Sequence, residues 1–352
     1  MSWDDKADLP FPLPAGWCDA WEKLKCGTGG DSWTYSSFWV EKPREFGGFE
    51  FPHLYKRSDR FLCKLQDYTL ETIELIGDGE KGIKFMTYNV WSREDVAVYR
   101  RMKAMGDLVR DHSPDVIFFQ EVTPYIQLIF ESFPWWEEYN SSPVSPEEQT
   151  GNHHFCLMLS KLPMESYARW KFATSPTGKC YLEADITPGN MNQIRIATTQ
   201  LECPVPPASM HLRGRYMQAK HAVSALSSAD NVVFGGDMSW DDDADLPFPL
   251  PEGWGDAWVK LGRATALSHS WTYSSFWVEK PREFNGHKFP SYSGKRSDRF
   301  VCKLQDYTVK TIGRIGGDNL GIYCTKDSVE SLPIMPSCHR GLVLTIVPNE
   351  LL

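Results

Sequence analysis

The sequence predicts an α/β protein folded as a two-sheet sandwich, with a partial copy of one half placed ahead of it. Three features predict this. Residues 84–122 read as strand, helix, strand, with a polar residue closing each strand. An amphipathic helix over 211–228 leads into a buried-type strand over 231–235, so the chain has two strand-rich halves. Residues 1–83 repeat residues 238–322, sharing Trp-Thr-Tyr-Ser-Ser-Phe-Trp-Val-Glu-Lys-Pro-Arg-Glu-Phe at 33–46 and 271–284 and Lys-Arg-Ser-Asp-Arg-Phe at 56–61 and 295–300.

The first copy lacks the strand over 231–235 and any counterpart of the final strand over 342–347, so it is a fragment of a half. The domain boundary is expected between residues 83 and 84, dividing an incomplete duplicate (1–83) from a complete domain (84–352). One repeat of this length is no solenoid.

In the first half, residues 84–88 form a short β-prone run, and 115–119 a continuous apolar run of buried-strand length. Between them Val98, Met102, Met105 and Val109 recur at three- and four-residue steps, the stripe of a helix, with Ser92 and Asp95 as its expected start. This unit delivers Asn89 and Glu121 to one sheet edge. A carboxylate and an amide at adjacent strand ends are what a hard divalent cation and a phosphate oxygen require.

Beyond Glu121, residues 123–133 read as a short helix with Pro124 at its start, ended by Pro134-Trp135-Trp136, and 141–152 as a polar loop. Strands follow over 155–159, 181–186 and 193–199. Leu212, Tyr216, Ala219, Val223 and Leu226 form the apolar stripe of the second helix. Arg213, Arg215 and Lys220 fall off it, the pattern of a solvated face.

Hydrophobic residues make up 41% and charged residues 24% of the 352, ordinary proportions for a globular chain. No apolar run approaches membrane-spanning length, and the N-terminus lacks the basic and apolar regions of a secretory signal, so no membrane association is expected. Nine cysteines, scattered and without a Cys-x-x-Cys pair, predict neither a disulfide framework nor a zinc site and suit a reducing compartment. The net charge of −9 argues against general coating of nucleic acid, though not against a local grip on one DNA end.

Four motifs carry a resemblance. Tyr88-Asn89-Val90, Gln120-Glu121-Val122, Gly236-Asp237-Met238-Ser239 and Ser337-Cys338-His339 resemble, in order and spacing, those of the endonuclease/exonuclease/phosphatase superfamily, and within it the 5′-tyrosyl-DNA phosphodiesterases. Thr-Pro-Tyr at 123–125 and Leu-Glu-Cys-Pro at 201–204 fit the same group. The resemblance covers roughly residues 83–347 and implies a four-layer α/β sandwich. It implies a monomeric Mg²⁺- or Mn²⁺-dependent hydrolase acting in the nucleus on DNA 5′ ends that carry a tyrosyl adduct. By the resemblance Glu121 is the metal ligand, Asn89 orients phosphate or metal-bound water, and Asp237 acts as base toward the attacking water or orients it. His339 assists at the phosphoryl oxygen, with Asp298 on its other nitrogen.

Three departures weaken that pattern. Cys338 replaces an aspartate, and a thiol is a soft, mostly protonated ligand at neutral pH. Gln200 stands where the family has histidine, with Cys203 nearby replacing a serine. Ser239 stands where asparagine is common. On the substrate side Trp271, Tyr273, Trp277, Arg296 and Arg299 form an aromatic and basic cluster suited to stacking on bases and pairing with phosphates, although Trp271 and Tyr273 fit a core strand as well. Gln200, Ser239, Trp271 and Arg299 are the expected substrate contacts. The alternatives are another phosphoesterase of the superfamily, such as an abasic-site endonuclease, and a degenerate duplicate that binds DNA ends or protein partners.

Overall fold

The computed structural model describes residues 82–150, 154–173, 175–204, 211–263, 270–274, 282–284, 287–289, 294–326 and 330–349, with short stretches between 13 and 64. The chain divides into two units, Met1–Glu80 and Lys81–Leu352.

The second unit opens with β1 (Ile83–Asn89), α1 (Val98–His112) and β2 (Val116–Val122). After α2 (Pro124–Glu131) come β3 (Asn140–Ser141), α3 (Pro146–Thr150) and β4 (Phe155–Ser160). The second half contains β5 (Glu165–Lys171), β6 (Cys180–Ile186), β7 (Ile194–Gln200), α4 (Leu212–Leu226) and β8 (Val232–Asp237). It continues with β9 (Trp254–Asp256), α5 (Ala257–Lys260) and β10 (Asp298–Lys303). The chain then returns to the first sheet as β11 (Tyr307–Ile315) and β12 (Gly341–Pro348).

Two six-stranded mixed sheets result, in the orders β11-β12-β1-β2-β4-β3 and β5-β6-β7-β8-β10-β9. Each holds one parallel pair linked by a helix: β1 with β2, from Phe85 opposite Val116 to Asn89 opposite Gln120, and β7 with β8, from Arg195 opposite Val232 to Gln200 opposite Asp237. A parallel pair ends both strands on the same edge, which is why the polar residues closing these strands stand side by side.

The layers follow from alternation along the strands. Phe85, Phe118, Ile196, Val233, Phe300 and Leu344 fill the space between the sheets. Their neighbours point outward, where Met86, Phe119 and Leu157 meet Met102, Met105, Val109, Ile126 and Phe130 of α1 and α2. On the far side Ala197, Val232 and Phe234 meet Ala219, Ala222, Val223 and Leu226 of α4. The order helix, sheet, sheet, helix is the expected four-layer sandwich. Gly235 and Gly236 allow two close approaches within it: a Cβ would lie 2.5 Å from the Phe300 ring at the first and 2.2 Å from the Thr199 carbonyl oxygen at the second.

Several local expectations are corrected. Ser92 and Asp95 do not begin α1, which starts at Val98 after Ala97 in the left-handed region (φ 40°); Ser92 serves the site instead. The expected polar loop over 141–152 contains α3, and β5 was not anticipated, because its partly exposed residues lack a clean apolar run. Arg215 is buried and paired with Asp245 at 2.7 Å, not solvated, while Leu212 on the expected stripe is exposed.

Within the first unit, short antiparallel pairs match those of the second copy position by position. Cys18 faces Cys63 and Asp19 faces Leu62, as Gly255 faces Cys302 and Asp256 faces Val301. Tyr35 faces Lys56 as Tyr273 faces Lys295, and Phe46 faces Phe49 as Phe284 faces His287.

Candidate active site

The ends of the two parallel pairs are built alike. Asn89 closes β1 and accepts, through Oδ1, the backbone N–H of Trp91 at 2.9 Å; Asp237 closes β8 and accepts that of Ser239 at 2.8 Å. Trp91 and Ser239 both take left-handed backbone conformations, φ 59° and 50°. An Asn or Asp side chain bonding two residues ahead is a local turn device, and here it also fixes the direction in which the other end of each side chain points. Asn89 Nδ2 donates to Glu121 Oε1 and to Asp237 Oδ2, each at 3.0 Å, so one amide joins the two sheets at the site. Beneath it Gln120 repeats the connection, its Nε2 donating to Thr87 and Thr198 hydroxyls at 3.1 Å.

Glu121 sits in the left-handed region at φ 58°, a strained setting of order 1 kcal/mol or more for a residue with a Cβ. Its half-buried carboxylate is fully engaged. Gln200 Nε2 donates to Oε1 at 2.8 Å, and the Ser92 backbone N–H and hydroxyl donate to Oε2 at 3.0 Å. Burial opposes ionisation, but His154, His339 and the hydrogen bonds from Ser92 and Asn89 outweigh it and hold the carboxyl below its usual range. Asp237 is buried; there too burial is outweighed, by His339 and donors from Ser239, Ser297 and Asn89, and the carboxyl is held down to about 2. It is a firmly ionised, weakly basic group.

His339 follows Ser337, whose hydroxyl donates to the Asn89 carbonyl at 2.7 Å and accepts the His339 N–H at 3.1 Å. Its Nδ1 meets Asp298 Oδ2 at 2.8 Å, and its Nε2 lies 4.0 Å from Asp237 Oδ2. Burial opposes protonation of the ring, yet Asp298 and Asp237 hold its pKa well above the usual histidine value. The partner of His339 is thus Asp298 of the second copy. Tyr273 packs on the ring with centroids 4.9 Å apart, and Lys295 Nζ lies 5.2 Å from the Tyr273 centroid.

The donors suit a hard cation. Asp237, Asp298 and His339 offer ligand atoms within 4.8 Å of one another, and the Glu121 and Asp237 carboxylates meet across the amides of Asn89 and Gln200. Carboxylate oxygens dominate, the preference of Mg²⁺ and Mn²⁺. Cys338 adds no anion, because burial pushes its thiol pKa up. Cys203, pushed up to about 11 by burial, lies 3.0 Å from the Ser239 hydroxyl.

Of the expected substrate contacts, Gln200 and Ser239 lie in the site. Trp271 is 39% exposed, with its ring against Gly294. Arg299 is corrected: it is buried, as is Arg296, and both guanidiniums are engaged by Asp242 and Asp256, so they brace β10 rather than face a phosphate. Trp277 lies outside the described residues.

Sequence reasoning missed Arg101. It is fully buried on α1 and donates to the carbonyls of Val90, Trp91, Arg93, Val96 and Pro336, at 2.5–3.3 Å, with its guanidinium 4.8 Å from the Trp91 ring centroid. It ties the segment carrying Ser92 to the one carrying His339. The available signal was an arginine one position from Met102 and four before Met105 on an apolar stripe.

Known proteins share this fold. Tyrosyl-DNA phosphodiesterase 2 of Xenopus tropicalis is 24% identical over 220 residues, covering 61% of this chain and 56% of that protein. The Xenopus laevis protein of the same name is 25% identical over 199 residues, covering 55% and 51%. The chain therefore spans about half the length of these relatives. The crystal structure of D. rerio TDP2 complexed with single strand DNA product superposes with a TM-score of 0.58 at 19% identity, covering 76% of this chain and 99% of that one. Residues 86–314 match the Endonuclease/Exonuclease/phosphatase family, and the chain belongs to it.

Proposed function

We propose that this protein is a divalent-metal-dependent phosphodiesterase that hydrolyses the 5′-phosphotyrosyl bond left on DNA by a trapped topoisomerase, in nuclear DNA repair. The observation that carries the chemistry is the apposition of the Asp237 carboxylate and the His339 ring, 4.0 Å apart, with Asp237 linked to Glu121 through the amides of Asn89 and Gln200. The choice of substrate follows from the relatives named tyrosyl-DNA phosphodiesterase 2.

Glu121, with Asp237 beside it, would hold Mg²⁺ or Mn²⁺, which when bound supplies Lewis-acid neutralisation of phosphoryl charge. Asp237 is too weakly basic to take a proton outright at neutral pH; it accepts a hydrogen bond from the attacking water and aims its lone pair at phosphorus. His339 Nε2–H donates to a non-bridging phosphoryl oxygen as charge grows there. Asp298 on Nδ1 fixes the ring's orientation and keeps the proton in place. The water oxygen bonds to phosphorus and the bond to the tyrosyl oxygen breaks; of the water's two protons one ends on the departing tyrosine oxygen, giving a phenol, and the other on the 5′-phosphate or in solvent. Exposed Trp271 and half-buried Tyr273 offer aromatic surface for the bases of a single-stranded end.

Cys338 favours a second reading, a DNA-end binder that turns over slowly, because a neutral thiol removes one anion from the motif. The test is release of 5′-phosphate from a 5′-tyrosyl oligonucleotide with Mg²⁺, with and without chelator, alongside abasic-site DNA. Chelator-sensitive release from the tyrosyl substrate supports the proposal. Tight binding without release supports the second reading, and cleavage of abasic DNA alone would refute both.

A further inference from the structure

Gln200, at the end of β7, donates from Nε2 to Glu121 Oε1 at 2.8 Å and to Asp237 Oδ2 at 3.3 Å. Its Oε1 accepts from the ammonium of Lys179. A lysine can only donate, so it commits the amide oxygen to itself and the amide hydrogens to the carboxylates. A charged donor at the oxygen also polarises the amide and strengthens the bonds on its nitrogen side.

Lys179 is aimed by its own support. It ends the turn between β5 and β6, and its backbone N–H donates to Ser175 Oγ at 2.7 Å. The Ser175 hydroxyl donates in turn to Glu202, and the Thr177 hydroxyl lies 3.0 Å from both carboxylate oxygens of Glu202. Glu202 is 1% exposed and pinned through its backbone, the N–H donating to Gln218 at 3.0 Å and the carbonyl accepting from Arg215 at 2.9 Å. The buried carboxylate of Leu201-Glu202-Cys203 therefore holds a turn, the turn holds an ammonium, and the ammonium holds the amide that spans both catalytic carboxylates.

We propose that Lys179 is a positioning residue for the phosphodiester chemistry, acting on Glu121 and Asp237 through Gln200. This rests on the phosphodiesterase reading. Two other roles are distinguishable from it, direct contact with the substrate phosphate and simple support of the fold.

The test combines kinetics with the side-chain amide resonance of Gln200, identified in ¹⁵N–¹H spectra by its absence in Gln200→Ala. Lys179→Met should lower kcat about tenfold, the scale of one charge-assisted hydrogen bond, with KM within about twofold. It should also shift the Gln200 amide resonance, and Lys179→Arg should recover most of both. Added to Gln200→Ala, Lys179→Met should cost nothing further, since the two act as one unit. Thr177→Val, which keeps the lysine and loosens its turn, should give a smaller loss with the same kcat-over-KM split. An equal loss in both backgrounds, a rise in KM at constant kcat, or an unmoved Gln200 resonance would overturn the proposal. If the wild-type protein hydrolyses no phosphodiester, the parent reading fails, while the resonance still decides whether Lys179 holds Gln200.

Discussion

Replacing Arg101 by methionine should damage both stability and the site, by amounts the structure allows to be worked out. The guanidinium serves the carbonyls of Val90, Trp91, Arg93, Val96 and Pro336 from a fully buried position. At about 1 kcal/mol net per hydrogen bond, five sum to about 5 kcal/mol. Methionine fills much of the volume and spares the desolvation of a buried cation, which burial already expresses by pulling the Arg101 pKa down to about 10. A net loss of about 3 kcal/mol remains, or roughly 6–12 °C in Tm for a unit of this size. Because Trp91 and Ala97 sit in left-handed conformations in the same segment, that loop should relax first and withdraw the two Ser92 donors from Glu121. Urea titration gives the stability and calorimetry the Mg²⁺ affinity. Unchanged stability together with unchanged metal affinity would refute this account of the loop.

Cys338→Asp should raise the rate or tighten Mg²⁺ binding, since Ser337 and His339 on either side keep their hydrogen bonds; a slower enzyme would mean that the site has adapted to the thiol. Asp298→Asn removes the largest cause raising the His339 pKa. A histidine with a raised pKa is protonated at low pH and loses its proton as pH rises through that value, so the basic limb of the rate profile should move to lower pH; an unmoved limb would exclude His339 as its source. Deleting residues 1–82 should leave a folded protein with the same activity, because the four motif residues and the partner of His339 all lie in Lys81–Leu352; unfolding of the truncated chain would refute this.

The fold was legible where period and length agreed. The apolar runs ending at Phe119 and Gly235 marked the two buried strands, and the resemblance supplied the sandwich that joins them. The strand pattern put Glu121, Asn89 and Asp237 at strand ends, and the resemblance supplied their roles. What the sequence hid was the use made of polar residues inside the fold. Arg215 looked solvated by spacing, yet Asp245, thirty positions on, makes its burial affordable. Arg299 looked like a phosphate contact, yet Asp242 and Asp256 had claimed it. Ser92 looked like a helix cap, yet Glu121 took its donors. In each case the deciding partner is distant in sequence, and neither periodicity nor local turn chemistry can find it.

The most direct measurement is hydrolysis of a 5′-tyrosyl oligonucleotide by wild-type protein and by Glu121→Gln, each with Mg²⁺ and with excess chelator. Glutamine keeps the size and an acceptor oxygen but removes the anion, so the rate should fall by roughly a hundredfold or more while the fold persists, and chelator should abolish the wild-type reaction. Equal turnover in the two proteins, or full wild-type activity in excess chelator, would contradict the assignment of Glu121 and the metal-dependent chemistry built on it.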